Sequence, residues 1–184
     1  MSSNASGYSR TAIALHWAIA LLIFGLFPLG IVMADLPLSP QKLKLYSWHK
    51  WAGVTVFLLA AGRAAWRVSH PAPPPPAAMT AWQRGAASVT HLLLYVLLFA
   101  VPLAGWLMSS AKGFQTVYFG IIPLPDLLIK DKALGETLEW LHKFLAFALG
   151  ALVITHLTAA LKHHLVDRDD VLVRMLPILR RKEP

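Results

Sequence analysis

The chain of 184 residues contains no cysteine, which excludes disulfides, thiolate-bound iron–sulfur clusters and covalently attached c-type haem. Charged residues are also scarce, at 14% of the chain against about 25% in an average soluble domain. The hydrophobic fraction is correspondingly high, at 57%. This composition indicates an integral membrane protein, in which the eight histidines and nine carboxylates are the side chains able to bind a metal.

The apolar residues form four runs, each able to cross a hydrocarbon core of about 30 Å. Residues 11–34 and 85–111 carry no Asp, Glu, Lys or Arg. Arg63 interrupts the second run, but tryptophans at both of its ends and snorkelling arginines extend it. We predict an all-α, single-domain protein over residues 1–184 that forms a four-helix bundle in the lipid bilayer. The predicted spans are roughly 11–34, 47–67, 86–110 and 138–162.

The distribution of basic residues favours an orientation with both termini in the cytoplasm (N-in, C-in). Ten Lys and Arg then lie on the inner side and seven on the outer side, as the excess of positive charge in cytoplasmic loops requires. The inner ten are Arg10, Arg63, Arg67, Arg84, Lys162, Arg168, Arg174, Arg180, Arg181 and Lys182. The outer seven are Lys42, Lys44, Lys50, Lys112, Lys130, Lys132 and Lys143. Membrane orientation therefore accounts for the net charge of +8, and we expect no nucleic-acid partner.

Histidines inside the predicted spans indicate a functional site, because ionisable residues are costly in a membrane. His142 and His156 are 14 residues apart on the fourth helix, so they lie within about 40° of each other around it and about 21 Å apart along it. His49 lies at the level of His142, and His16 lies at the level of His156. His91 has about the same depth as His16, and spacing alone does not choose between these two.

Two histidine pairs at two depths predict two b-type haems stacked across the membrane, with one imidazole on each side of each iron. Zinc or copper is disfavoured because it would need three or four ligands at one level, often including sulfur or carboxylate. His163 and His164, at the inner boundary, are expected to face water or lipid head groups. Arg63 follows His49 by 14 residues, so Arg63 and Arg67 are candidates for contacts with a haem propionate or a quinone.

Taken together, motifs along almost the whole chain resemble the bacterial cytochrome b561 family, of which the superoxide oxidases are a branch. These motifs are Tyr8-Ser9-Arg10, Leu15-His16-Trp17, Trp48-His49-Lys50, Gly62-Arg63, His91, Leu141-His142-Lys143, His156, Lys162-His163-His164 and Arg174-Met175-Leu176-Pro177. The resemblance implies haem ligands on the first, second and fourth helices, which are His16, His49, His142 and His156 here. It also implies a bacterial inner-membrane protein with two haem b groups that exchanges electrons with ubiquinone.

The function favoured by this resemblance is oxidation of superoxide, with electrons passing through the two haems to ubiquinone. Outer lysines would attract the superoxide anion, above all Lys50 and Lys143, since each directly follows a predicted ligand. The alternative is a non-catalytic cytochrome b subunit that carries electrons between a dehydrogenase or hydrogenase partner and quinone. A purely structural scaffold would leave the histidine pairs unexplained.

Overall fold

The computed structural model describes residues 7–179, and most of this part of the chain is helical. Its α-helices are α1 (Arg10–Asp35), α2 (Pro40–Ser69), α3 (Ala81–Ala111), α4 (Lys132–Lys162) and α5 (Val171–Met175). A π-helical turn (His163–Asp167) joins α4 to α5, and a 3₁₀ turn (Pro177–Leu179) follows. Two short strands, β1 (Val117–Tyr118) and β2 (Ile122–Pro123), pair antiparallel between α3 and α4. The predicted all-α class is confirmed apart from this hairpin.

The long helices begin at polar caps, which is why several of them start earlier than the predicted spans. At each start a side-chain oxygen accepts a backbone N–H of the first turn and so satisfies a donor that has no partner within the helix. The capping residues are Ser9, Ser39, Thr80 and Asp131. As a result α2 begins at Pro40, although the apolar run that predicts its span begins near residue 47. Hydropathy indicates which part of a helix lies in the membrane, whereas the capping residue determines where the helix begins.

Three of the helices in residues 7–179 are long and apolar enough to cross a membrane: α1, α3, and α4 with its π-helical extension to Asp167. Of the helices that correspond to the four predicted spans, α2 alone is not apolar enough to meet this criterion. Its five basic residues interrupt the apolar stretch, and they are Lys42, Lys44, Lys50, Arg63 and Arg67. Length and composition therefore support three of the four predicted crossings.

The long helices pack in sequence order, with α1 along α2, α2 beside α3, and α3 along α4. A small core of Ile19, Val56, Ala60 and Leu98 joins the first three helices. Many large apolar side chains point outward instead, and Phe24, Phe144 and Phe147 are each more than half exposed. An apolar outer surface of this kind is suited to lipid and would be unfavourable in water.

The first residues of α1 and the last of α4 lie at one end of the molecule. We call the end with Arg10 and Lys162 the inner end, and the end with Asp35 and Lys132 the outer end. At the inner end the segment after α4 folds back across the helices. There the Trp17 indole N–H donates to the Met175 carbonyl oxygen (2.8 Å), and the Arg174 guanidinium donates to the Pro74 carbonyl oxygen (2.5 Å). The C-terminal segment thus ties α1 to the proline-rich connection between α2 and α3.

Candidate functional site

Four histidines form two pairs at opposite ends of α4. At the outer end the ring of His142 faces that of His49 from α2, with centroids 6.2 Å apart and planes at 79°. At the inner end His156 faces His16 from α1, with centroids again 6.2 Å apart and planes at 72°. Because α4 is a continuous helix, the 14 residues between its two histidines separate the pairs by about 21 Å along its axis.

The inner level holds a third histidine. His91 on α3 has its ring centroid 5.4 Å from that of His156, with the planes at 66°. The ring of His91 is therefore nearer to His156 than the ring of His16 is. Sequence spacing did not choose between His16 and His91, and both rings lie at this level.

The outer pair borders a cavity between the helices. Besides His49 and His142, the lining side chains are apolar, with Ile23, Phe27 and Leu149 among them. An apolar space entered by two imidazoles suits a flat hydrophobic ligand that is held through nitrogen.

The protonation of His142 follows from its hydrogen bond. Its Nδ1 lies 3.0 Å from the carbonyl oxygen of Val101, and a carbonyl can only accept, so Nδ1 carries the proton and donates. Nε2 then keeps its lone pair, which is the form in which a histidine binds a metal. The Nδ1 of His49 is buried and has no hydrogen-bond partner within residues 7–179.

Two glycines allow helices to approach the outer rings closely. A Cβ atom at Gly105 would lie 3.1 Å from Cε1 and 3.2 Å from Nδ1 of His142, and one at Gly30 would lie 3.3 Å from Cε1 of His49. In both rings the edge with Nδ1 and Cε1 is therefore turned towards a neighbouring helix. Nε2 is the nitrogen that this packing leaves available.

Both predicted arginines lie at the inner level. The Arg63 guanidinium donates to the carbonyl oxygen of Ala12 (2.6 Å), one helical turn before His16. This bond uses one of its five N–H donors and ties α2 to α1. Arg67 lies against the ring of Tyr8, with 5.8 Å between its Cζ atom and the ring centroid.

The two predicted steering lysines are both engaged at the outer end. The Lys50 ammonium donates to the carbonyl oxygen of Phe114 (2.9 Å), and that of Lys143 pairs with Glu139 (2.6 Å). Glu139 also pairs with Lys112. The sequence analysis did not single out Glu139, although its position four residues before Lys143 on a helix is a recognisable ion-pair spacing.

The expectation that His163 faces water or lipid head groups is wrong. Its side chain is buried, and its Nδ1 lies 2.6 Å from a carboxylate oxygen of Asp169 and 3.3 Å from one of Asp167. The π-helical turn brings the acidic residues that follow α4 back onto this ring. The neighbouring His164 is half-buried.

Apolar helices that carry paired imidazoles on facing sides define the class of helical membrane haem proteins. Sequence comparison then identifies the family: the pattern of the prokaryotic cytochrome b561 proteins matches residues 7–177, and the chain belongs to that family. It is thus a bacterial membrane protein that binds b-type haem and transfers electrons, and the resemblance noted in the sequence is confirmed.

Three curated relatives span nearly the whole chain. Cytochrome b561 homolog 2 of Escherichia coli (strain K12) is 36% identical over 92% of this chain and 90% of its own length. Cytochrome b561 homolog 1 of the same strain is 33% identical over 95% of this chain and 98% of its own length. Probable superoxide oxidase CybB of Yersinia pestis is 29% identical over 92% of this chain and 96% of its own length.

Proposed function

We propose that the protein is a diheme cytochrome b, with His49 and His142 as ligands of an outer haem and His16 and His156 as ligands of an inner one. The observation that carries the proposal is the equal centroid separation of 6.2 Å in the two pairs. Two metal–nitrogen bonds of about 2.0–2.1 Å, with half an imidazole ring on each side, amount to roughly 6 Å between centroids. Both pairs therefore have the spacing that one metal ion between two rings requires.

The same spacing favours His16 over His91 as the partner of His156. The centroids of His91 and His156 are only 5.4 Å apart, which is closer than rings on two sides of one metal ion would stand. The separation of His16 from His156 equals that of the outer pair, where no second histidine ring within residues 7–179 lies beside His142. His91 is then a neighbour of the inner ligands.

The chain's own groups prepare the ligands and their surroundings. When bound, b-type haem supplies a reversible one-electron carrier at each level. The Val101 carbonyl holds His142 in the tautomer with a free Nε2, and the apolar lining beside the outer pair offers water few hydrogen-bond partners. Arg63 retains N–H donors that can form charge-assisted hydrogen bonds with a haem propionate or a quinone oxygen at the inner level.

For the topology, we propose that α2 also crosses the membrane and completes a four-helix bundle with α1, α3 and α4. Both termini then lie on the cytoplasmic side of the inner membrane. The helix has 30 residues, about 45 Å, and packs between α1 and α3. Its lysines cluster near the outer end, and Arg63 is bonded to a backbone carbonyl. Three of the basic residues that favour this orientation, Arg180, Arg181 and Lys182, lie outside the described residues.

For the reaction, we propose oxidation of superoxide coupled to reduction of ubiquinone. Two superoxide anions lose one electron each and become two molecules of O₂, while ubiquinone takes up the two electrons and two protons to become ubiquinol. The relative from Yersinia pestis, named a probable superoxide oxidase, supports this choice, as do the lysines around the outer histidine pair. A positive surface at the entrance raises the rate at which a small anion arrives.

The purified protein alone should carry out both half-reactions. When the protein is mixed with superoxide in a stopped-flow instrument, its haem should become reduced. A soluble ubiquinone analogue should then reoxidise the haem, because the sites of electron entry and exit both lie on this chain. Absorbance of the reduced b-type haem is the measurement. If dithionite reduces the haem and the quinone reoxidises it but superoxide has no effect, the chain is instead a conduit whose donor is another subunit.

Gly105→Ala is expected to weaken retention of the outer haem, because the added methyl group would push against Nδ1 and Cε1 of His142 and rotate the ring. Gly25→Ala is the matched control, since a Cβ atom there has nothing within 4 Å. We expect haem loss from the purified protein into excess apomyoglobin to be several-fold faster for Gly105→Ala and unchanged for Gly25→Ala. Equal rates in the two variants would show that close packing at Gly105 does not hold the His142 ring.

A further inference from the structure

The outer connection between α3 and α4 contains an uncharged hairpin. Residues 113–125 include no Asp, Glu, Lys or Arg, while Lys112 and Asp126 flank them on either side. The two strands pair in register, Val117 with Pro123 and Tyr118 with Ile122. Thirteen uncharged residues in succession are unexpected in a loop that lies in water, where polar residues predominate.

The hairpin runs along α2 towards the inner end of the molecule. Three successive contacts show this, because their partners on α2 advance from residue 50 to residue 55, which is about 7.5 Å along the helix axis. The contacts join Lys50 Nζ to the Phe114 carbonyl oxygen (2.9 Å), Trp51 Nε1 to the Val117 carbonyl oxygen (2.6 Å), and the hydroxyl groups of Thr55 and Tyr118 (2.9 Å). The hairpin thus descends from the charged outer surface beside the helix.

The side of α2 that the hairpin covers is turned away from the histidine pair. Trp51 lies about 200° around the helix from His49, and Thr55 lies one turn below Trp51 on the same side. Further along that side, Leu58 is 55% exposed. The hairpin therefore lies on the outward apolar surface of the bundle and not over the cavity between the helices.

The tip of the hairpin is apolar and exposed. Phe119 is 58% exposed, Ile121 80% and Ile122 55%. Phe119 and Gly120 form the turn in the left-handed region, with φ of 51° and 73°, and the Ile121 N–H donates to the Tyr118 carbonyl oxygen (3.1 Å). The turn thus satisfies some of its own backbone polar groups, which lowers the cost of bringing its apolar tip to the edge of the hydrocarbon region.

We propose that this hairpin dips into the outer lipid leaflet beside α2 and that Phe119, Ile121 and Ile122 contact acyl chains. Lipid is the occupant that the surface fits, because the tip continues the exposed apolar face of α2 and carries no charge that a protein partner could pair with. Trp51 and Tyr118 lie where amphipathic aromatic rings are favoured, at the membrane interface. The hairpin also holds the Lys50 ammonium through the Phe114 carbonyl oxygen.

This inference rests on the proposal that α2 crosses the membrane and does not depend on the reaction with superoxide. The chain lacks cysteine, so one introduced cysteine can be labelled uniquely with an environment-sensitive fluorophore. The test compares Ile121→Cys, at the tip, with Asp126→Cys, at the charged end of the same connection. Both labelled proteins are reconstituted with haem in phosphatidylcholine vesicles, and both should keep the b-type spectrum of the parent.

The label at residue 121 should emit at shorter wavelength and be quenched several-fold more by lipids with a nitroxide on the acyl chain than by aqueous iodide. The label at residue 126 should show the reverse preference. The proposal is overturned if iodide quenches both labels equally. It is also overturned if neither quencher reaches residue 121 and the cysteines of Ile121→Cys crosslink two chains, since a second copy would then cover the tip.

Discussion

His142→Ala should release the outer haem or convert it to the high-spin form, so that the low-spin haem falls from about two to about one per chain and the one that remains is the inner haem. Loss of one imidazole leaves the outer iron with a single protein ligand, so that haem becomes high-spin or escapes, because only burial in the apolar cavity then retains it. His49→Ala should act on the same haem, whereas His16→Ala and His156→Ala should act on the inner one. Pyridine haemochrome content and low-spin signals in electron paramagnetic resonance are the measurements.

Imidazole added together with free haem should restore the low-spin signal of His142→Ala, because a free ligand can occupy the space of the missing ring. Structural damage from the substitution would not be repaired in this way. The control is His91→Ala, which should keep both haems low-spin since the ring of His91 is too close to His156 for a shared metal ion. Loss of a haem in His91→Ala together with two intact haems in His16→Ala would contradict the inner pairing.

Glu139→Gln should raise the second-order rate constant for haem reduction by superoxide several-fold at low ionic strength. The carboxylate of Glu139 pairs with Lys112 and Lys143 and so cancels part of the positive field at the outer histidine pair. Lys143→Met should lower the same rate constant. The cost in stability is small, since partly exposed ion pairs contribute about 0–1 kcal/mol.

Salt and position distinguish this steering from other effects of substitution. The difference between Glu139→Gln and the parent should vanish near 1 M salt, where the Debye length is about 3 Å. The matched control is Glu136→Gln, which makes the same change in net charge one helical turn earlier on α4, at an exposed residue. If both variants raise the rate constant equally, net charge alone governs the rate. If the rate constant changes neither with salt nor with Glu139→Gln, electrostatic steering does not operate.

Much of the candidate site was predictable because it depends on geometry within one helix. Once residues 142 and 156 are assigned to the same helix, rise and rotation per residue place their side chains on one face at two depths. The membrane class follows from composition in the same direct way, and the all-α fold follows from the apolar runs. The correct helix starts were also available from local chemistry, since Ser39 and Asp131 are recognisable caps.

The contacts between helices could not be predicted from spacing within one helix. Spacing put His16 and His91 at one depth but carried no information on how α1 and α3 are rotated about their axes relative to α4. That rotation depends on side-chain packing between helices, and it sets the two centroid separations of 6.2 Å and 5.4 Å from His156. The burial of His163 was missed for a related reason, because a π-helical turn changes the direction of the chain after α4.

The sequence by itself determined the membrane class, the helical fold, the family and the two depths of the histidines on α4, because composition and helical periodicity are properties of contiguous residues. The tertiary structure decided which rings face each other, that Glu139 lies between two outer lysines, and that an uncharged loop packs along α2. These features join residues far apart in the chain. Their geometry is set by the packing of whole helices, which no local pattern specifies.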